Sequence, residues 1–231
     1  ELGYWDIRGL GAPLRMLLAY AGVDFNDVQF DDPKQWFGPA GTHAGAGGRR
    51  SELRARNPLA NLPYVVDGDL VVAQSNACLH YLGDKYDLNG PDEAAQLRCL
   101  QLVQEVYDLR NGMIELAYPQ KKKSRDAAEF AANREVQLKS DLFAKFEAWL
   151  AHYKTPFFGG EAPCTADFPI WEMLDQYEKL ATSVGQSLFS KEGIPRCHAF
   201  HTGFRKLPQL QAYFDSPAYA LPCNATQHGA F

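Results

Sequence analysis

Pro63-Tyr64-Val65-Val66-Asp67-Gly68-Asp69-Leu70-Val71-Val72-Ala73-Gln74-Ser75-Asn76 is the stretch that decides the fold. Two short apolar runs, Tyr64-Val65-Val66 and Leu70-Val71-Val72, flank Asp67-Gly68, a strong hairpin signal. A helix follows at once. Ser75 can cap it, and Ala77, Cys78, Tyr81 and Leu82 recur near helical spacing. The stretch therefore predicts strand, tight turn, strand, helix.

Upstream, strand and helix signals alternate. Leu2-Gly3-Tyr4-Trp5 is short and partly aromatic, as a strand is. Gly9, Gly11 and Pro13 mark a turn, and Pro13 suits the first turn of a helix, where its missing N–H costs nothing. Leu14, Leu17, Leu18 and Ala21 give that helix one apolar face, and Gly22 ends it. Phe25 to Phe30 alternates apolar and polar, the period of a second strand. Residues 31–60 show little periodicity. Gly38, Gly41, Gly45, Gly47 and Gly48 crowd the segment, which predicts a long mobile loop of the kind that often carries function. It fits neither a phosphate loop nor a dinucleotide fingerprint. The order is βαβ, then ββα. The first unit needs a right-handed crossover to a parallel strand, and the hairpin adds an antiparallel edge. The expectation is a thioredoxin-like α/β unit over residues 1–84.

Downstream the pattern changes. Asp87 to Pro91 reads as a linker, and no convincing strand follows. Asp92 can cap a long helix carrying Leu97, Leu100, Val103, Tyr107 and Ile114. Leu138, Leu142, Phe146, Trp149 and Tyr153 make another stripe, and Phe168, Trp171 and Leu174 a third. Phe200, Phe204 and Leu207, then Leu210, Tyr213 and Phe214, close the chain. Residues 92–231 are expected to be all-helical.

The chain has 231 residues, is 46% hydrophobic and 22% charged, and carries a net charge of −5. That composition supports a packed core and argues against nucleic acid as a partner, which asks for a basic surface. Lys121-Lys122-Lys123 is the one strong basic cluster, read as a solvated helix face or loop. No apolar stretch approaches the ~20 residues of a membrane helix, and the opening residues lack a charged-then-apolar signal pattern. Five widely spaced cysteines do not make a disulfide framework. These features predict a cytoplasmic setting.

The opening Gly3-Tyr4-Trp5-Asp6-Ile7-Arg8-Gly9-Leu10 is very similar to the start of the mu-class cytosolic glutathione transferases. Asn61-Leu62-Pro63-Tyr64, then Gln74-Ser75-Asn76-Ala77, match the family's glutathione-binding stretch. Tyr107-Asp108 and Tyr118 align with a mu-class pattern in the helical half. The resemblance spans roughly residues 2 to 155, with a weaker echo to Pro222.

The resemblance implies glutathione as co-substrate, no metal, and a homodimer acting on small hydrophobic electrophiles in detoxification. It implies that Tyr4 is catalytic. Chemistry supplies the reason: a free thiol near ~8.5 is mostly protonated at neutral pH, and a fixed hydroxyl donor favours the anion. It also implies glutathione contacts from Trp5, Asn61, Leu62, Pro63, Gln74 and Ser75. Leu62-Pro63 resembles the family's cis-proline junction, whose backbone pairs with the cysteinyl part of the tripeptide. A helix start at Gln74-Ser75 suits the γ-glutamyl carboxylate. Asp108 would reach the γ-glutamyl ammonium across a dimer interface. Leu10, Tyr107, Tyr118 and the tail after Leu221 would line the electrophile site, with Tyr118 facing developing oxyanion charge.

The pattern also breaks. Mu-class chains bring a tryptophan and a lysine from the loop before the cis-proline. No tryptophan stands there, so Trp36 is the candidate replacement, a sigma-like feature, and Arg49, Arg50 or Arg54 replace the lysine. Leu59 stands where relatives carry an aromatic dimer key. Cys164-Thr165-Ala166-Asp167 replaces the Ser or Thr of a capping box with cysteine, leaving Thr165 or a shifted register as the cap. Cys197, His198 and His201 lack a fourth partner for a structural zinc. The alternatives to conjugation are a sigma-type glutathione-dependent isomerase and a non-catalytic ligand carrier or structural protein. Retention of Tyr4, Gln74 and Ser75 together disfavours the last.

Overall fold

Four strands form one mixed sheet in the order β2-β1-β3-β4. Strand β1 (Leu2–Trp5) runs parallel to β2 (Asp27–Phe30) and antiparallel to β3 (Tyr64–Asp67), which pairs with β4 (Leu70–Ala73). The computed structural model describes residues 1–43, 46–118, 126–139, 141–190 and 193–225. Gly45, the Lys121-Lys122-Lys123 run and the residues after Ala225 lie outside that set.

Helix α1 (Ala12–Tyr20) makes the crossover from β1 to β2, as a parallel pair requires. Gly22 sits one place past its cap at φ +67°, and the Val23 N–H donates to the Leu18 carbonyl at 3.0 Å. A left-handed residue closes the helix there. In the hairpin Asp67 still pairs with Leu70. Its two-residue loop is therefore Gly68-Asp69, one place later than the sequence suggests, with Gly68 at φ +57°.

Between β2 and β3 the expectation of a long mobile loop is corrected. Two short helices fold there, α2 (Pro33–Phe37) and α3 (Gly48–Arg54). Asp32 caps α2, accepting from the Lys34 N–H at 2.8 Å. The glycines serve close contact. A Cβ on Gly48 would lie 2.6 Å from the Trp36 carbonyl oxygen, and one on Gly38 would lie 2.2 Å from that of Ala46. Both glycines have positive φ, so no other residue lets these segments meet without strain. The two helices enclose a small second core of Phe30, Trp36, Phe37, Leu53 and Tyr64.

Helix α4 (Ser75–Lys85) leads to α5 (Glu93–Ala117), whose first turn is capped by Asp92, accepting from the Ala95 N–H at 2.8 Å. The rest is helical: α6 (Ala127–Lys139), α7 (Ala144–Tyr153), α8 (Asp167–Thr182), α9 (Pro195–Arg205) and shorter turns. Helix α8 is the axis, with Phe168, Trp171, Leu174 and Tyr177 fully buried. On α5 the expected stripe is corrected. Leu97 and Leu100 are 58% and 46% exposed, while Cys99, Leu102, Val103, Val106 and Met113 turn inward. The Leu138–Tyr153 stripe breaks across α6 and α7, and Tyr153 faces solvent. One continuous core runs from Leu14, Leu17 and Val65 in the sheet half to Val103 and Leu174 in the helical half.

Candidate active site

Tyr4 lies on β1 with 5% of its surface exposed. The turn after the strand wraps its ring. A Cβ on Gly9 would stand 2.8 Å from the Tyr4 hydroxyl, and one on Gly11 would stand 2.7 Å from the ring. Side chains at either position displace the ring, and Gly9 also has φ +37°. Burial pushes the Tyr4 phenol above its ordinary value, opposed by a hydrogen bond from the Leu10 backbone N–H and by the Arg110 charge. Tyr4 is therefore a neutral O–H at physiological pH, able to donate.

Tyr4 lines a cleft of about 380 Å³. Trp5, Trp36, Asn61 and Leu62 form its sheet-side wall, and Arg110, Ile114 and Tyr118 its α5 wall. The Leu62-Pro63 bond is cis. Trp36 is fully buried and stacks on Tyr64 at 5.8 Å and 14°. That stacking depends on Gly3, since a Cβ there would lie 2.2 Å from the Tyr64 ring. The Trp36 indole nitrogen has no hydrogen-bond partner among the described residues, so the cleft wall carries an unused donor.

The structure does not bring Arg49 into the cleft. Its guanidinium pairs with Glu1 and Glu52, both at 2.8 Å. Arg50 is buried beneath the wall, with its guanidinium over the Phe37 ring and a bond to the His43 carbonyl at 3.0 Å. Arg54 donates to the Ala60 carbonyl at 3.3 Å.

The start of α4 differs from the sequence reading. Gln74, not Ser75, occupies the cap position, and no side chain caps the helix. Gln74 sits at φ +72°, a conformation that costs a non-glycine residue about 1–3 kcal/mol. Ser75 is the first helical residue and is buried. It lines a smaller crevice of about 30 Å³ with Gly9, Leu10, Tyr107 and Arg110. Leu10 and Arg110 border both spaces, so crevice and cleft adjoin. The first-turn N–H groups of α4 point along its axis without a side-chain acceptor, a built anion attractor.

Asp108 is exposed on α5 and lines neither space. Tyr118 is half-buried, and its oxygen accepts from the Ala225 N–H at 3.3 Å. The tail docks on the turn that wraps Tyr4: the Arg8 and Gly9 N–H groups donate to the Pro222 and Cys223 carbonyls at 2.8 and 3.0 Å. The Arg8 side chain, fully buried, reaches α8, pairing with Glu172 at 2.6 Å and Asp175 at 2.7 Å. The same turn is thus anchored by the helical half.

Sequence reading missed Arg110, Ile114, Phe37 and His43, all of which line the cleft. Arg110 and Ile114 were within reach: stepping back from Tyr118 by four residues at a time along α5 lands on both. Phe37 and His43 fall in the segment misread as loop. Cys197, His198 and His201 do not gather as a ligand set. The Cys197 N–H serves Glu147, His198 stacks on Phe189 at 4.6 Å, and His201 stacks on Trp171 at 5.0 Å. Among the described residues, no three potential metal ligands gather, and no helix is long and apolar enough to cross a membrane.

The likeness to known proteins agrees with this architecture. The family model "Glutathione S-transferase, C-terminal domain" matches residues 107–217, and "Glutathione S-transferase, N-terminal domain" matches residues 41–84. The chain belongs to the glutathione S-transferase family of enzymes. It is 30% identical to mouse Glutathione S-transferase Mu 1 over 219 residues, covering 94% of this chain and 91% of that one. To mouse Glutathione S-transferase Mu 6 it is 31% identical over 225 residues, with the same coverage. The solved Pi-class glutathione S-transferase of Onchocerca volvulus is 25% identical, covers 96% of each chain and superposes with a TM-score of 0.73.

Proposed function

We propose that this chain joins the sulfur of reduced glutathione to hydrophobic electrophiles, with Tyr4 donating a hydrogen bond to that sulfur. One observation carries the reading: a neutral tyrosine, held between Gly9 and Gly11, lines a cleft of about 380 Å³. Lowering the thiol pKa by about two units takes about 2.7 kcal/mol. A hydrogen bond to a charged acceptor contributes ~1.5–3 kcal/mol, so one well-placed donor nearly suffices.

In this reading the tripeptide lies along the sheet-side wall. Asn61 and the Leu62 backbone meet its middle, followed by Pro63, and Trp5 and Trp36 back it. Its γ-glutamyl carboxylate sits at the uncapped start of α4, beside Gln74 and Ser75. The thiol proton leaves to solvent. The thiolate attacks an electrophilic carbon, a C–S bond forms, and the leaving group or opened ring takes the electron pair. Leu10, Ile114 and Tyr118 supply the apolar wall for the electrophile, Tyr107 extends it, and Tyr118 can donate to developing oxyanion charge. Asp108 serves the site from a partner subunit, so the working unit is a symmetric homodimer. Detoxification in the cytoplasm is the setting that suits this chemistry.

The test is retention on immobilised glutathione followed by a chromogenic conjugation assay with aryl halide and enone acceptors. We expect both to be positive. In Tyr4→Phe, turnover should fall ~10–1000-fold, as for loss of one anion-stabilising donor, with glutathione affinity changed only a few-fold. Full activity in Tyr4→Phe contradicts the mechanism.

A further inference from the structure

One cation borders both the cleft and the crevice. Among the described residues lining the two spaces, Arg110 is the one Lys or Arg, and no Asp or Glu lines either. Arg8 and Arg15, beside the turn that wraps Tyr4, each pair with a carboxylate. Arg110 forms no such pair among the described residues. It is half-buried on α5, with its guanidinium over the Tyr107 ring, 5.6 Å from the centroid. Its neighbours one turn away along the helix are Val106, Tyr107, Met113 and Ile114. No acid on its own face neutralises it.

We propose that Arg110 makes this site selective for electrophiles that carry a carboxylate, one ring-width from the carbon that the glutathione sulfur attacks. The inference rests on the conjugation reading and names its substrate class.

The α5 wall sets the spacing. Arg110, Ile114 and Tyr118 follow one another at four-residue steps, and all three line the cleft. A step of four helical residues advances about 6 Å, the span of one substituted benzene ring. The wall therefore presents a cation, an apolar side chain and a phenol in that order. A flat acceptor laid against Ile114 and Leu10 brings an anionic group at one end to Arg110. A guanidinium pairs with a carboxylate through two parallel N–H bonds, which an ammonium does not reproduce. Partial burial strengthens the pairing, because water screens it less than at an open surface. The chain's net charge is −5, so the attraction is local to this wall.

The same charge reaches the reacting end. Burial raises the Tyr4 phenol, and the Arg110 charge opposes that rise. The rival partner for Arg110 is the γ-glutamyl carboxylate of glutathione, since Ser75 and Arg110 both line the crevice. The uncapped start of α4 already offers that anion free N–H groups, which leaves Arg110 for the second substrate. With a carboxylated aryl chloride, the thiolate attacks the chlorine-bearing carbon. The C–S bond forms, the C–Cl bond breaks, and chloride leaves with the electron pair. The carboxylate is unchanged.

The test compares chlorodinitrobenzoate with the neutral chlorodinitrobenzamide, each rate divided by the uncatalysed rate with glutathione. In the wild-type enzyme kcat/KM should favour the benzoate by about 10–100-fold, the worth of one hydrogen-bonded ion pair. Arg110→Met should erase most of that preference, and Arg110→Lys should keep only part of it. Three results overturn the proposal. One is a wild-type enzyme without the preference, which needs no variant to fold. The second is a preference that survives Arg110→Met. The third is an Arg110→Met enzyme that loses both substrates alike while its Michaelis constant for glutathione climbs, which assigns Arg110 to the tripeptide. Calorimetry with the two S-aryl glutathione conjugates gives a reading that needs no turnover. Wild-type protein should hold the carboxylated conjugate about ten-fold tighter or more, and equal affinity overturns the proposal. An enzyme inert to both chlorides contradicts the conjugation reading, and the wild-type binding comparison then decides the charge selectivity alone.

Discussion

In the proposed mechanism Tyr4 can act as a donor because it is buried, and it is buried because two glycines leave room for its ring. Leu10 N–H and Arg110 pull its pKa down less than desolvation pushes it up, so the proton stays on the oxygen. The proposed catalysis would thus depend on the main chain of residues 9–11 as much as on the tyrosine itself. Gly11→Ala tests that link: the new methyl meets the Tyr4 ring at 2.7 Å and Arg15 at 3.0 Å. Displacing the ring by a fraction of an ångström should lower turnover about 10–100-fold, leaving the glutathione Michaelis constant within a few-fold. Steady-state kinetics on the purified variant check it, and unchanged turnover contradicts the clamp. Tyr4, Leu62-Pro63 and Gln74-Ser75 were all visible in the sequence because they sit in contiguous motifs. The bond partners of Arg49 were not, because Glu1 comes from the far end of the sheet unit, and spacing along the chain does not encode that meeting.

At the scale of elements, the sequence was read well where periodicity is strong and poorly where glycine is dense. The hairpin, the crossover and the Asp92 cap follow from local pattern. Residues 31–60 did not read as helices because five glycines suggest freedom, whereas Gly38 and Gly48 are there so that two backbones can touch. The α5 stripe failed for a different reason: Leu97 and Leu100 are apolar but lie on the outer face. The start of α8 shows what becomes of a broken capping box. Thr165 does not take over, since its hydroxyl goes to Asn89. The Asp167 carboxylate does the work, accepting from the N–H groups of Phe158, Gly159 and Cys164 at 2.8, 3.0 and 2.8 Å. Burial pushes Asp167 up to about 6, so at pH 7.5 it is ionised and these donors hold the charge. Asp167→Ala strips three N–H groups of their partner, two of them, on Phe158 and Cys164, buried. It should cost about 3 kcal/mol or more, read as a lower midpoint in urea unfolding at pH 7.5. A midpoint within error of the wild type contradicts that role.

At the scale of the whole molecule, one chain holds most of the proposed site but leaves outside it Asp108, the proposed contact from a second subunit. Asp108 is exposed on α5, on the same strip as exposed Leu100 two turns earlier, and Leu59 is 72% exposed. These residues suit a face covered by a second copy. Asp108→Ala should raise the Michaelis constant for glutathione more than it lowers turnover, with the dimer intact, because one exposed carboxylate does not anchor an interface. Leu59→Phe should tighten the dimer if the receiving pocket is aromatic-sized. Sedimentation across a dilution series reads both variants, and a fully active monomer contradicts the shared site.

The central claim is that Tyr4 lowers the pKa of the glutathione thiol. Ultraviolet absorbance of the thiolate in the binary complex, followed from acid to alkaline pH, measures this directly. Burial raises the Tyr4 phenol above its ordinary value of 10.0, so its own ionisation falls beyond the useful range. The account predicts that bound glutathione titrates about two units below the free thiol's ~8.5, and that Tyr4→Phe returns it most of the way. A bound thiol that titrates with the free one in the wild-type enzyme contradicts the account.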